Sequence, residues 1–313
     1  MAIRHFQIIG VVGAGTMGAQ IALHCAAHGY RVRLFSRSTE TLQRAAQGHA
    51  LELEQRLARQ DITVDEQEGL LSRIQSTTDM QEAVAKADLV IENVPEDLEI
   101  KRAVFGQLDR LSPHHTLLAT NSSSICISAL EDVTQRSERM LNMHFYSPVW
   151  QRPMVELMGG TATTEETMAR ARHFVRTLDL TPLSVRKESM GFLFNRVWRA
   201  IKKECLHLVD DGVASFEDVD RAWIIAFKTP AGPFGFMDMV GLDVVRDIEM
   251  GYYRASGDAS DAPPQILLDK IAKGELGLKT GKGFYSYPRP AFQEPGWLKR
   301  DDPSPSTTDP AAS

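Results

Sequence analysis

Two architectures in tandem are what this sequence predicts: an α/β alternation to about residue 187, then an almost wholly helical stretch over 188–288. Three observations carry that division. Short apolar, β-branched runs alternate with longer amphipathic stretches through the first part, the pattern of a parallel sheet with crossover helices. A glycine cluster follows the first apolar run and opens the first amphipathic stretch. Beyond Gly191 strand-length apolar runs cease and helical spacing takes over.

Taken in order, residues 8–12 (Ile-Ile-Gly-Val-Val) suit a strand buried on both faces. Gly13, Gly15 and Gly18 then form G-x-G-x-x-G around Thr16 and Met17. The first glycine permits a tight turn, the second lets backbone approach a pyrophosphate, and the third lets the following helix pack closely on the sheet. That helix, 17–28, directs its positive end at the phosphates. A second strand at 31–35 completes the strand–turn–helix context that gives the motif its meaning. The first domain, 1–187, is therefore expected to be α/β, Rossmann-like and dinucleotide-binding.

After the second strand, an acidic residue would grip the ribose 2′-hydroxyl of NAD. Ser36 and Arg37 stand there instead. Serine can donate to a 2′-phosphate and arginine can pair with it bidentately, which favours NADP. Alternatively Arg37 lies on the adenine, or is solvated, and NAD binds. Residues 39–73 carry helical spacing interrupted at 61–65, so a helical hairpin is expected to project there, its second helix running to residue 74. The stretch Thr77-Thr78-Asp79 caps a helix from about residue 80. A strand at 89–94, a helix at 98–111 and strands at 117–120, 140–144 and 155–157 follow, then a helix at 164–178 and a strand at 181–185. The domain boundary is placed at 186–190. Helices are expected at 192–209, at 216–227 and near Leu242 and Ile266. The tail, 289–313, has five prolines from Pro290 to Pro310 and little to bury, so it is expected to be poorly ordered.

Composition excludes several function classes. The net charge of −6 over 313 residues argues against a nucleic-acid face. No apolar stretch approaches the roughly 18 residues of a membrane span. The N-terminal apolar run leads into the glycine loop rather than to a cleavage site. Cys25, Cys126 and Cys205 lack disulfide or metal spacing, so a reduced, cytoplasmic, metal-free protein is expected.

The second informative stretch is Asn142-Met-His144-Phe-Tyr-Ser-Pro148, followed by Met154-Val-Glu156. His144 ends one strand and Glu156 lies in the next, so adjacent strands can bring them together. A carboxylate bonded to one imidazole nitrogen fixes the tautomer and raises the basicity of the other. Such an imidazole can take a proton from a hydroxyl while hydride leaves to a nicotinamide. The plainer alternative is a structural pair.

On these residues the chain resembles the 3-hydroxyacyl-CoA dehydrogenases along nearly its whole length. The matching pieces are Gly13 to Gly18, Glu96 with Lys101, Asn121-Ser-Ser-Ser124, His144 to Pro148, Val155-Glu-Leu157, Gly191 to Arg196, Gly232-Pro-Phe234 and Lys279 to Tyr285. The resemblance implies His144 as general acid/base and Glu156 as its orienting partner, with Ser123 and Asn195 holding the reacting oxygen. It implies Glu96, Lys101, Asn121 and Lys279 around the nicotinamide half of the cofactor. Read without the resemblance, Ser122 and Ser124 are turn residues, Asn195 a helix cap, and Glu96 with Lys101 a surface pair.

Two departures bear on specificity: Ser147 replaces the family's usual asparagine, and Ser36 its usual aspartate. The hairpin is also not strongly basic, since Arg44, Arg56, Arg59 and Arg73 are diluted by Glu52, Glu54, Asp61, Asp65, Glu66 and Glu68. The expected reaction is hydride transfer between NAD or NADP and the secondary alcohol of a 3-hydroxyacyl-CoA. The first alternative is the same chemistry on a small free hydroxy acid (a sugar acid, a carnitine-like or a pyridine hydroxy acid). The others are a lysine-based dehydrogenase using Lys202 or Lys203, and a non-catalytic, crystallin-like nucleotide binder. A homodimer through the helical domain is expected, from the apolar residues Phe234, Phe236, Met237, Met239 and Val240.

Overall fold

The computed structural model describes residues 6–300. The chain divides into two compact units after Asn195, later than the expected boundary at 187. The reason is local: residues 192–194 remain tied to the first unit through Phe192 and through backbone hydrogen bonds to Glu156.

The first unit is built on an eight-stranded sheet. Its strands are β1 (Ile8–Val12), β2 (Arg31–Phe35), β3 (Ile74–Thr77), β4 (Leu89–Glu92), β5 (Leu117–Thr120), β6 (Met140–Phe145), β7 (Met154–Gly159) and β8 (Thr181–Val185). They lie in the order β3-β2-β1-β4-β5-β6-β7-β8, and every neighbouring pair is parallel except β6 with β7. The strands β4, β5 and β6 are buried along their whole length, which accounts for their continuous apolar reading.

The crossover elements follow the side chains that start them. Helix α1 (Thr16–Ala27) buries Ile21 to Ala26 against the sheet, and its small residues allow a close approach. The expected hairpin is present as α2 (Thr39–Ala58), capped by Ser38, and α3 (Val64–Ser72), opened by a Thr63–Glu66 capping box. Asp79 caps α4 (Met80–Val84) and Asp97 caps α5 (Leu98–Leu111), each side chain accepting from backbone N–H groups of the first turn. Thr164 does the same for α6 (Glu165–Thr177). Two apolar layers result. One gathers α1, α2 and α6 around Ile9, Val11, Leu141 and Phe174; the other gathers α4 and α5 around Val12, Val90 and Phe105.

The expected helix to residue 74 stops at Ser72, and β3 pairs with the outer side of β2 instead. Only Thr77 of its four residues is buried, so this edge strand lacks the apolar alternation that would announce it.

The second unit holds most of α7 (Phe194–Asp210), then α8 (Phe216–Phe227), α9 (Pro233–Val240), α10 (Leu242–Ser256) and α11 (Gln265–Ala272). Its core is Leu206, Phe234, Met237, Leu242, Val245, Leu267 and Phe284. Two buried aspartates tie that core together. Asp220 accepts from the N–H groups of Phe234 and Gly235 and from the Tyr285 hydroxyl; Asp238 accepts from the N–H groups of Phe284 and Tyr285 and from Tyr287. A side chain at Gly232 would strike Asp220, and one at Gly283 would strike Asp238.

The tail expectation fails where the tail is described. Between its prolines, Phe292 and Trp297 are buried against Tyr285 with ring centroids 4.9 and 6.3 Å away. Two large aromatic anchors outweigh the prolines around them. Residues 301–313 lie outside the described residues. Among the described residues, no helix is long and apolar enough to cross a membrane.

Candidate active site

The β1–α1 turn is built around its glycines. Gly13 has φ +105°, and a Cβ there would lie 2.5 Å from the Asn93 carbonyl oxygen. A Cβ on Gly18 would collide with the Gly13 carbonyl. Gly15 differs: a Cβ there would meet no protein atom within 4 Å. Protein packing therefore explains Gly13 and Gly18, whereas the space over Gly15 is open to a ligand. With the N-terminus of α1 beside it, that opening fits a dinucleotide pyrophosphate. Thr16 opens α1, and Met17 lines the cavity described below. At the end of β2, the Ser36 hydroxyl accepts from the Ser38 N–H at 3.3 Å, and Arg37 is exposed.

A cavity of about 380 Å³ opens at the ends of β4, β5 and β6. Met17, Glu96, Lys101, Asn121, Ser123, His144 and Asn195 line it, so seven of the candidate residues named from sequence share one wall. Asn93, Tyr146 and Ser147 join them. The Ser147 hydroxyl donates to the Gln20 side-chain carbonyl, which also accepts from the Val149 N–H.

His144 and Glu156 face each other directly across the antiparallel β6–β7 pair. The imidazole Nδ1 lies 3.0 Å from Glu156 Oε2. Oε2 also accepts from the Tyr146 hydroxyl at 2.8 Å, while Oε1 accepts from the Leu193 and Phe194 N–H groups at 2.9 and 2.8 Å. Burial alone would push the Glu156 carboxyl up, but His144, the two N–H groups and Tyr146 together bring it below the usual carboxylate range. An ionised Glu156 only accepts, so Nδ1 carries the proton and Nε2 is the basic atom. Phe192, fully buried and 5.1 Å from the imidazole by ring centroids, backs the pair. Gly191 and Phe192 both have positive φ, +76° and +55°, and the chain they bend presents the Leu193 and Phe194 N–H groups to Glu156.

Glu96 and Lys101 are more than a surface pair. Lys101 is 1% exposed and bonds to Glu92 at 2.9 and 3.1 Å and to Glu96 at 3.3 Å. Glu96 accepts from the Ser122 hydroxyl and from both the N–H and the hydroxyl of Ser124. Those two serines anchor the loop, which leaves Ser123 at the cavity wall. Asn121 accepts from the Phe145 N–H and so ties the same loop to β6. Sequence reasoning missed Glu92. It is fully buried at the end of β4 and also accepts from Thr120 and the Val94 N–H; a lone acid closing an apolar strand was the available signal.

Lys279 belongs to the second unit, where its ammonium pairs with Asp243. Lys202 and Lys203, the lysines of the rival mechanism, pair there with Glu249 at 3.7 Å and with Asp261 at 2.8 Å. Among the described residues, no group of three or more His, Cys, Asp or Glu side chains could hold a metal.

Comparison with known proteins matches both units. A family model described as "3-hydroxyacyl-CoA dehydrogenase, NAD binding domain" covers residues 8–189, and one for the C-terminal domain of the same enzymes covers 191–287. The chain is 35% identical to a probable 3-hydroxybutyryl-CoA dehydrogenase of Bacillus subtilis, over 89% of this chain and 96% of that protein. It is 33% identical to the 5-formyl-3-hydroxy-2-methylpyridine 4-carboxylate 5-dehydrogenase of Mesorhizobium japonicum, over 89% and 90%. The crystal structure of (S)-3-hydroxybutyryl-CoA dehydrogenase from Ralstonia eutropha aligns with TM-score 0.85 and 32% identity, covering 91% of this chain and all of that one.

Proposed function

The chain belongs to the 3-hydroxyacyl-CoA dehydrogenase family of oxidoreductases, and we propose that it interconverts a 3-hydroxyacyl-CoA and its 3-oxo form with His144 as acid/base. One observation carries this reading: His144, held on Nδ1 by a buried carboxylate, opens onto the cavity that Ser123, Asn121 and Asn195 also line. Glu156 fixes the tautomer, so Nε2 takes the hydroxyl proton on oxidation and returns it on reduction. Ser123 and Asn195 hold the reacting oxygen as its charge changes. The turn from Gly13 to Gly18, with Thr16 and Met17, holds the cofactor's pyrophosphate end. Ser36 and Arg37 meet its adenosine ribose, and Glu96, Lys101 and Asn121 its nicotinamide half. A bound nicotinamide supplies the hydride acceptor. The absence of an acid at Ser36 leaves a 2′-phosphate unopposed, so NADP is accepted alongside NAD.

A second reading is a small free hydroxy acid as substrate. On the hairpin, Arg56 pairs with Glu52 at 2.8 Å and Arg59 with Asp61 at 2.9 Å. Cations already neutralised in this way attract the phosphates of CoA less. The Mesorhizobium relative is named for a pyridine carboxylate.

The second unit pairs with a second copy. Phe234 and Met237 serve their own core, but Met239, Val240, Val244 and Ile248 are between 39% and 48% exposed on α9 and α10.

The test is a panel of 3-hydroxyacyl-CoA thioesters and free hydroxy acids with NAD and NADP, followed by reduced-nicotinamide absorbance. Turnover of thioesters well above free acids supports the first reading, and the reverse supports the second. No turnover of either class would contradict both.

A further inference from the structure

Tyr146 is buried, lines the cavity and is not used by the acid/base step just described. Its hydroxyl donates at 2.8 Å to Glu156 Oε2, the same oxygen that holds His144 Nδ1 at 3.0 Å, and its ring lies 4.5 Å from the imidazole by centroids. Two donors thus compete for the charge on one carboxylate oxygen. We infer that Tyr146 is a positioning residue that acts through Glu156, drawing charge off Oε2 and so setting the pH range over which His144 exchanges its proton.

The physical chain is short. A hydrogen bond to an anion stabilises it and makes it a weaker acceptor for the next donor. With the phenol in place, Glu156 holds the imidazolium form of His144 less tightly than a carboxylate with that oxygen to itself would. The phenol keeps its proton across the working range, because burial first and then Glu156 push its ionisation well above that of free tyrosine. It therefore remains a donor throughout.

The charged groups nearest the pair act elsewhere. Arg152, in the turn between β6 and β7, acts on the phenol and opposes the effect of Glu156 on it. Glu96 and Lys101 stand on the cavity wall with His144, where Lys101 is held by Glu92 and Glu96. The segment that caps Oε1, from Phe192 to Phe194, contributes N–H groups and aromatic rings but no charge.

This inference rests on the reading of His144 as the acid/base, and the experiment separates the two. The His144 ring is titrated by NMR in the protein without substrate, and the pH dependence of kcat/KM for alcohol oxidation is measured beside it. Both are done for wild type, for Tyr146→Phe, and for protein carrying 3-fluorotyrosine at position 146. Removing the hydroxyl should move both the ring titration and the acidic limb of the rate profile up. The fluorinated phenol, a stronger donor, should move both down. Movement in opposite directions is not what a merely structural hydroxyl produces, and the fluorinated protein keeps the test open if the phenylalanine variant misfolds. Unmoved titrations in both proteins, or shifts of the same sign, would overturn the role of Tyr146. A wild-type rate profile that fails to follow the His144 titration would instead overturn the acid/base reading.

Discussion

At the scale of single residues, the glycines of the first turn are legible by type and spacing, whereas Asn121 and Lys101 enter only through the family resemblance and His144 with Glu156 reads equally as a structural pair without it. Glu92 is legible by neither route, since its meaning depends on Lys101, nine residues later and packed against it in the interior. Replacing one partner of a buried pair leaves the other charge uncompensated, at about 3–5 kcal/mol. Glu92→Gln should therefore lower the denaturation midpoint and weaken nucleotide binding together, measured by urea titration and calorimetry. An unchanged midpoint would show that Glu96 alone suffices for Lys101. The cofactor choice also turns on single residues. A charge-assisted contact from Arg37 to a 2′-phosphate is worth roughly 1.5–3 kcal/mol, or one to two decades in affinity. Ser36→Asp should shift kcat/KM toward NAD by a comparable factor. A wild type that strongly prefers NAD, with no further shift in the variant, would show that this turn does not read the 2′ position.

At the scale of elements, the limit on reading is register and burial. The strands β4 and β5 are apolar on both faces and are evident, whereas β3 is a polar edge strand visible only through its pairing with β2. The direct opposition of His144 and Glu156 is a register fact that spacing allows but does not fix. The sequence pieces Gly232-Pro-Phe234 and Lys279 to Tyr285, matched first by resemblance, acquire a physical reason in Asp220 and Asp238, which gather backbone donors from both. Asp220→Ala would strand two buried N–H groups and a hydroxyl, costing at least ~2 kcal/mol; a Tm unchanged from wild type would deny that role. Burial first, against the donors it accepts, pushes the Asp220 carboxyl from 3.8 up to about 6. The unfolded chain then loses this proton before the folded one, so this group's contribution to stability falls as pH rises from about 4 to about 6. Calorimetric melts across that window should show the slope in wild type and a flatter one in Asp220→Asn.

At the scale of the whole molecule, the division into an α/β unit and a helical unit follows from hydrophobic periodicity, and the two family models divide the chain near the same place. Up to residue 300 the tail is held by Phe292 and Trp297 packed on Tyr285, an anchoring that its proline content does not announce. Self-association is a property of surface. Val244→Asp, on the exposed apolar side of α10, should turn a dimer into a monomer in light scattering over a wide dilution range. A wild type that is monomeric throughout would contradict the pairing.

The most direct measurement of the central account compares wild type with His144→Ala in two assays: hydride transfer from (S)-3-hydroxybutyryl-CoA, and calorimetric binding of NAD. Loss of a general acid/base typically costs about 10²–10⁴-fold in rate. The expected result is a kcat lowered by that much with nucleotide affinity unchanged, because the turn proposed to hold the pyrophosphate is built without His144. A variant that binds NAD normally and retains near-full kcat would contradict the account.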